Sequence, residues 1–171
     1  MDIIEFFDRS AGKWFSQRTR QDLVADRSTA ATTDLWIDPL STTETDVVQL
    51  CQQQGVDPAD ALCAARIRWE SKPMFNEPKE SGATILVPLG DRPQSTEGKL
   101  LHQPPSPDSF LRGRFLIGSD DAVTLIAESD TLYAEERIWF ASENLRLRTS
   151  IVKQPDGFSK ASFYSEIRMK G

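Results

Sequence analysis

Apolar and polar residues alternate with a period of two over most of this chain, and that alternation predicts strands. From Lys13 to Arg20, the residues Trp14, Ser16, Arg18 and Arg20 share one face, and Lys13, Phe15, Gln17 and Thr19 the other. A second strand is expected between Asp22 and Ile37, where Thr and Ala dilute the signal. Past residue 64 the pattern is β throughout: Ala65 to Ser71, Ala83 to Leu89, Gly98 to His102, Arg112 to Ile117, Val123 to Glu128, Leu132 to Phe140, Leu145 to Val152 and Phe158 to Met169. Turn residues punctuate these runs at Gly90-Asp91-Arg92-Pro93, Gly118-Ser119-Asp120-Asp121, Ser142-Glu143-Asn144 and Pro155-Asp156-Gly157, the rhythm of an all-β barrel or sandwich. Gln103 to Ser109, rich in proline, reads as a loop that interrupts the sheet pattern.

The period lengthens in two places. Asp2 is placed to N-cap a short helix with Ile3, Ile4, Phe6 and Phe7 at helical spacing, ending at Gly12. Thr43 is expected to cap a second helix through Asp46, Val47, Leu50 and Cys51 that stops at Gly55, and Asp57-Pro58 restarts a short one. Residues 43–64 therefore read as a helical insertion between strands. There are no internal repeats. The expectation is one domain over residues 1–171, all-β with minor helices. About ten strands with short hairpins favour an up-and-down antiparallel barrel over a sandwich, and a barrel of that size holds one small ligand in its mouth. Sequence alone leaves closure open.

Composition narrows the function. A formal net charge of −6 lacks the basic face that nucleic-acid phosphates or an acidic membrane surface require. Met1-Asp2-Ile3-Ile4-Glu5-Phe6-Phe7 has neither the basic start nor the apolar run of a signal peptide, and no stretch approaches the ~18 apolar residues of a membrane span, so a cytoplasmic protein is expected. Two cysteines, Cys51 and Cys63, do not make a disulfide framework and read as structural. The lone histidine, His102, reads as solvated. It has no second imidazole or cysteine cluster to complete a zinc site, and no Ser-His-Asp arrangement presents itself, so no metal is expected.

The last three strands segregate grease from charge. Leu145, Leu147, Thr149 and Ile151 face one way, Arg146, Arg148 and Ser150 the other. Glu136 shares a face with Ile138 and Phe140, opposite Glu135, Arg137 and Trp139. Tyr164, Glu166 and Arg168 oppose Phe163, Ser165, Ile167 and Met169. Periodicity favours the plain orientation, with leucines in a dry core and arginines in water. The competing orientation turns Arg146 and Arg148 inward, where paired guanidinium groups would clamp an acidic ligand. The pattern does not say which face is inside.

The run Glu135-Glu136-Arg137-Ile138-Trp139-Phe140-Ala141-Ser142, then Asn144-Leu145-Arg146-Leu147-Arg148-Thr149-Ser150 and Ala161-Ser162-Phe163-Tyr164-Ser165-Glu166-Ile167-Arg168-Met169, resembles the C-terminal signature of the S-type (CpcS/CpeS-type) phycobiliprotein lyases. Glu5-Phe6-Phe7, Ser10, Gly12, Trp14, Ser16, Arg18-Thr19 and Arg68-Trp69-Glu70 resemble that family too, so the likeness covers essentially the whole chain. It implies a lipocalin-like or fatty-acid-binding-protein-like barrel with an N-terminal helix near its opening. It further implies a lyase that holds a linear tetrapyrrole such as phycocyanobilin and promotes its thioether attachment to a cysteine of a phycobiliprotein α or β subunit. No cofactor is implied, because the bilin is itself the substrate. The compartment would be the cyanobacterial cytosol, or the plastid stroma for a plastid-encoded chain.

Carried over residue by residue, the resemblance puts Arg18, Trp69, Glu136, Arg146, Arg148 and Ser150 in the pocket. Arg146, Arg148 and Arg18 would hold propionates, Ser150 would add a hydrogen bond and Trp69 would pack on the π-system. Glu136, as catalytic residue, would hydrogen-bond the pyrrole nitrogens and favour a protonated, more electrophilic bilin, with Glu166 a second carboxylate. The chain departs from its relatives at Gln21-Asp22, where many carry histidines, and at Lys72-Pro73-Met74-Phe75, which lacks a tryptophan. Some S-type lyases work as two unlike subunits. Three readings stay open: an active lyase, alone or as a homodimer; a noncatalytic subunit of a heteromeric lyase; and a bilin carrier without transferase activity.

Overall fold

Asp2 caps the first helix as its position predicts, its carboxylate accepting the Glu5 N–H at 2.8 Å. Helix α1 spans Ile3–Ser10, and Gly12, at φ +114°, makes the sharp exit into the first strand. The structure, a computed structural model, describes residues 1–73, 78–104 and 111–170. Ten strands follow: β1 (Gly12–Asp22), β2 (Arg27–Leu40), β3 (Ala64–Pro73), β4 (Ser81–Leu89), β5 (Glu97–His102), β6 (Arg112–Ile117), β7 (Val123–Glu128), β8 (Tyr133–Ser142), β9 (Leu145–Gln154) and β10 (Gly157–Arg168). Each pairs antiparallel with its sequence neighbours, and β1 also pairs with β10, from Trp14↔Arg168 to Asp22↔Lys160. That last ladder closes the barrel and removes both free edges.

Helix α1 plugs one end. Ile3, Phe6 and Phe7 pack with Trp14, Leu35, Ile37, Phe115, Val123 and Ile138 in one buried cluster. The ring of Phe6 meets Phe7 and Phe140 edge-on, with centroids 5.3 and 6.0 Å away. The carbonyls at the end of α1 do not point into empty space. Arg168 donates to the Arg9 and Ala11 carbonyls at 2.5 and 2.6 Å, and the Trp14 indole N–H donates to the Ser10 carbonyl at 2.8 Å. The sequence places Arg168 about 160 residues from Arg9 and Ala11, and closure of the barrel brings them together.

Helix α2 (Thr45–Gln53) lies outside, pressing Val47, Leu50 and Cys51 onto Ile85, Val87, Leu89 and Leu101 of β4 and β5. The insertion falls where the sequence places it, and a 3₁₀ turn at Pro58–Asp60 is capped by Asp57. The expected cap is corrected: Glu44, not Thr43, occupies the N-cap position and makes no side-chain cap bond. The Thr43 hydroxyl is instead engaged with Ser41 Oγ at 2.8 Å.

The plain orientation of the last strands is overturned. Arg146 is 3% exposed and Glu166 fully buried, while Phe163 and Ile167 on the alternate face of β10 are 47% and 49% exposed. Leu145 and Leu147 lie half-buried on the outer wall. The barrel's apolar filling is supplied by α1 and the strands near it, and Glu136 of β8, Arg146 and Arg148 of β9 and Glu166 of β10 face inward.

Candidate functional site

Register turns the two-residue period into rows across adjacent strands. Ser16, Glu166 and Arg146 stand side by side on β1, β10 and β9, and Arg18, Tyr164 and Arg148 form the next row. Arg20, Ser162, Ser150 and Glu136 form the third, nearer the end away from α1. These rows border a cavity of about 470 Å³, a size suited to a small organic molecule. Its wall includes six of the seven residues assigned from sequence: Arg18, Trp69, Glu136, Arg146, Arg148 and Ser150. Phe6 and Phe7 form its floor as well as anchoring the helix. Glu166 lies behind the arginines rather than on the wall.

The charges divide into two groups. Arg146 Nε donates to Glu166 Oε2 at 2.6 Å, and Arg148 donates through one terminal nitrogen to Glu166 Oε1 at 2.9 Å and through the other to Glu136 Oε1 at 3.0 Å. Ser16 Oγ adds a 3.2 Å bond to Glu166. The Arg148 guanidinium lies 3.7 Å from the centroid of the Tyr164 ring, and that of Arg146 lies 5.1 Å from the Trp14 ring. Two arginines and two glutamates thus form a neutral network. Arg18 belongs to the second group. It is 9% exposed, its Nε has no hydrogen-bond partner, and among the described residues it makes no ion pair.

Burial opposes ionisation of Glu166, but Arg148 and Arg146 outweigh it and hold the carboxyl below its ordinary value. Burial likewise opposes the charge of Arg148, and Glu136 and Glu166 together more than reverse that. For Arg146, burial outweighs the attraction of Glu166 and lowers its pKa. A carboxyl whose folded pKa is depressed lends stability that is present above its unfolded value and lost as pH falls through the folded one. The melting temperature should therefore fall as pH drops below the ordinary glutamate value of 4.5, and the acid slope should flatten in Glu166→Gln. An identical acid slope in that variant would assign the loss to other carboxylates.

Trp69 owes its place to a glycine. On the paired strand β4, a Cβ at Gly82 would lie 2.4 Å from the indole Cζ2, so the ring rests where a side chain is absent. Gly82→Ala should displace Trp69 from the wall. Near-ultraviolet circular dichroism and indole fluorescence report that movement, and an unchanged spectrum would show that the ring is not seated by Gly82.

His102 corrects the expectation of a solvated imidazole. The alternation of β5 turns it inward onto the cavity wall, and burial lowers its pKa. Sequence reasoning also passed over Ser16, Arg20 and Tyr164, although each shares a strand face with an assigned residue. Cys51 is buried between α2, which carries it, and the barrel, and burial pushes the Cys63 thiol up to about 12; neither lines the cavity, so no thiol of the described residues sits where a bound electrophile would meet it. Asp22 builds a turn, its carboxylate accepting the Val24 and Ala25 N–H groups. Phe75 lies outside the described residues.

A second depression, bordered by Glu128, Tyr133, Glu135 and Lys153, lies at the strand ends away from α1. There the Tyr133 hydroxyl donates to Glu135 at 2.6 Å, which raises its pKa to about 12.

Known proteins match this chain over its whole length. A family model described as "CpeS-like protein" matches residues 2–169. A protein of Thermosynechococcus vestitus named chromophore lyase CpcS/CpeS is 49% identical over 99% of this chain and 93% of its own. The phycocyanobilin lyase subunit CpcS of Picosynechococcus is 28% identical over 99% and 87%. The solved structure of the S-type phycobiliprotein lyase CPES from Guillardia theta superposes with a TM-score of 0.86 at 31% identity, covering 100% of this chain and 94% of that one. A ten-stranded closed barrel with a charged interior wall and a match from residue 2 to 169 lead to one conclusion: this chain belongs to the CpeS-like family.

Proposed function

We infer that this protein is a phycobiliprotein chromophore lyase that holds a linear tetrapyrrole in the barrel and delivers it to a cysteine of a phycobiliprotein subunit. The observation that carries this reading is Arg18, a buried guanidinium with no counter-ion among the described residues, facing a 470 Å³ cavity in a protein of net charge −6. Burying an unpaired charge is costly, and an anionic ligand removes that cost. A bilin brings carboxylates for Arg18, a conjugated face for Trp69 and pyrrole N–H donors. One oxygen of Glu136 is held by Arg148, which leaves the other to accept from the pyrrole nitrogens. Ser150, directly opposite Glu136 on the neighbouring strand, supplies a further hydroxyl.

The transfer itself is an addition. The acceptor thiol adds across the ethylidene double bond of ring A: sulfur bonds to the side-chain carbon and the thiol proton ends on the adjacent ring carbon, with no net oxidation or reduction. Orientation is the larger demand on the protein, because a free bilin is flexible and presents more than one electrophilic carbon. The bilin is substrate, and the reading invokes no resident cofactor. Cyanobacterial relatives support work in the cytosol beside the acceptor subunits, and among the described residues no helix is long and apolar enough to cross a membrane.

Reconstitution tests the reading. The protein, phycocyanobilin and a purified acceptor subunit are mixed, and covalent product is scored by zinc fluorescence after denaturing electrophoresis. Adduct on the acceptor with this protein alone supports an active lyase. Adduct only after a second S-type chain is added makes it a subunit, and bilin binding without adduct makes it a carrier. Absence of bilin binding overturns all three.

A further inference from the structure

Resting on the bilin-binding reading, we propose that Arg20 is a second carboxylate anchor, so that the ligand's two carboxylates divide between Arg18 and Arg20 on β1 rather than meeting Arg146 and Arg148. Of the four arginines on the cavity wall, Arg146 and Arg148 are already neutralised by Glu166 and Glu136. A carboxylate arriving at that side would face two glutamates as well as two guanidinium groups. Arg18 and Arg20 also line the cavity, and among the described residues neither makes an ion pair. Among the described residues the remaining wall carboxylate, Glu80, is exposed.

Geometry supports the pairing. Residues two apart on a strand project to one side about 7 Å apart, so Arg18 sits deeper and Arg20 one step toward the end away from α1. Propionates on neighbouring pyrrole rings form a pair of acids with comparable spacing. Arg20 is half-buried, and its Nε donates to Ser162 Oγ at 3.4 Å, a neutral partner that steers the guanidinium along the wall without cancelling its charge. Register places Thr29 of β2 on its other side, so no acid stands beside it on either neighbouring strand. The Arg146–Glu166–Arg148–Glu136 network then acts as a rigid polar frame against the tetrapyrrole's nitrogens and neutral oxygens.

Affinity for phycocyanobilin and for its dimethyl ester, measured by absorbance titration, separates charge from packing. The unmodified protein should prefer the diacid. Arg20→Gln should weaken diacid binding about tenfold and leave ester binding unchanged, whereas Arg20→Lys should keep most of the preference for the diacid. Melting curves confirm that both variants are folded. Equal losses for diacid and ester, or no loss for either, would overturn the assignment while leaving the bilin-binding reading intact. Failure of the unmodified protein to bind either compound would overturn that reading, and this inference with it.

Discussion

Glu166→Gln should destabilise the barrel by about 3–5 kcal/mol, a drop of roughly 10 °C in melting temperature for a chain of this length. The substitution is nearly isosteric, so the loss is electrostatic. Arg146 has a side chain only 4% exposed, and its ion pair is with Glu166; Arg148 keeps Glu136. Removing the charge of Glu166 leaves a buried guanidinium uncompensated, and surface screening gives little relief at that depth. Thermal or urea denaturation measures the effect. A change below about 1 kcal/mol would show that water reaches Arg146 and that the network is less dry than its geometry indicates.

Arg18→Gln should behave in the opposite way. In the free barrel Arg18 is buried with no counter-ion among the described residues, so neutralising it removes a cost and should raise the melting temperature slightly. Bilin affinity should fall by about 2–4 kcal/mol, or roughly 30- to 1000-fold, because the ligand carboxylate then loses its charged partner. A site built for ligand rather than for stability shows this trade, more stable and less functional. Titration with bilin and a melting curve on the same sample decide it. If Arg18→Gln bound as tightly as the unmodified protein, the anion would sit elsewhere; if it melted lower with binding intact, Arg18 would be a structural residue.

The contrast between these two variants shows what alternation along one strand leaves undetermined. Arg18 and Glu166 face the same interior from adjacent strands, and periodicity gives each the same description, a charged residue on a polar face. Which of them has partners depends on how β8, β9 and β10 pair, not on the strand that carries it. Arg148 reaches Glu166 from β9 and Glu136 from β8, and Arg18, whose β10 neighbour is Tyr164, reaches neither. The family likeness assigned Arg146 and Arg148 to the cavity wall but said nothing of their being already neutralised. Tyr164 and Arg20 were legible as face-mates of Glu166 and Arg18, but nothing local marked them as different from solvent-facing residues. Trp69 was legible, and the glycine that seats it was not, because Gly82 meets it across a strand pair rather than along the chain.

The sequence by itself determined the strands, their turns, the two helical segments and which residues share a face, because these follow from backbone geometry over a few neighbouring positions. Whether a face is inside or outside is not a local property. Leu145-Arg146-Leu147-Arg148 reads as a buried leucine face and a wet arginine face until β1 pairs with β10, α1 plugs one end of the barrel and Glu166 arrives to balance the charge. Burial of Arg146 is offset because the Glu166 carboxylate is buried with it. The family likeness turned Arg146, Arg148 and Glu136 toward the pocket, and the tertiary structure added what balances them, because the register of β9 against β10 sets Arg146 beside Glu166.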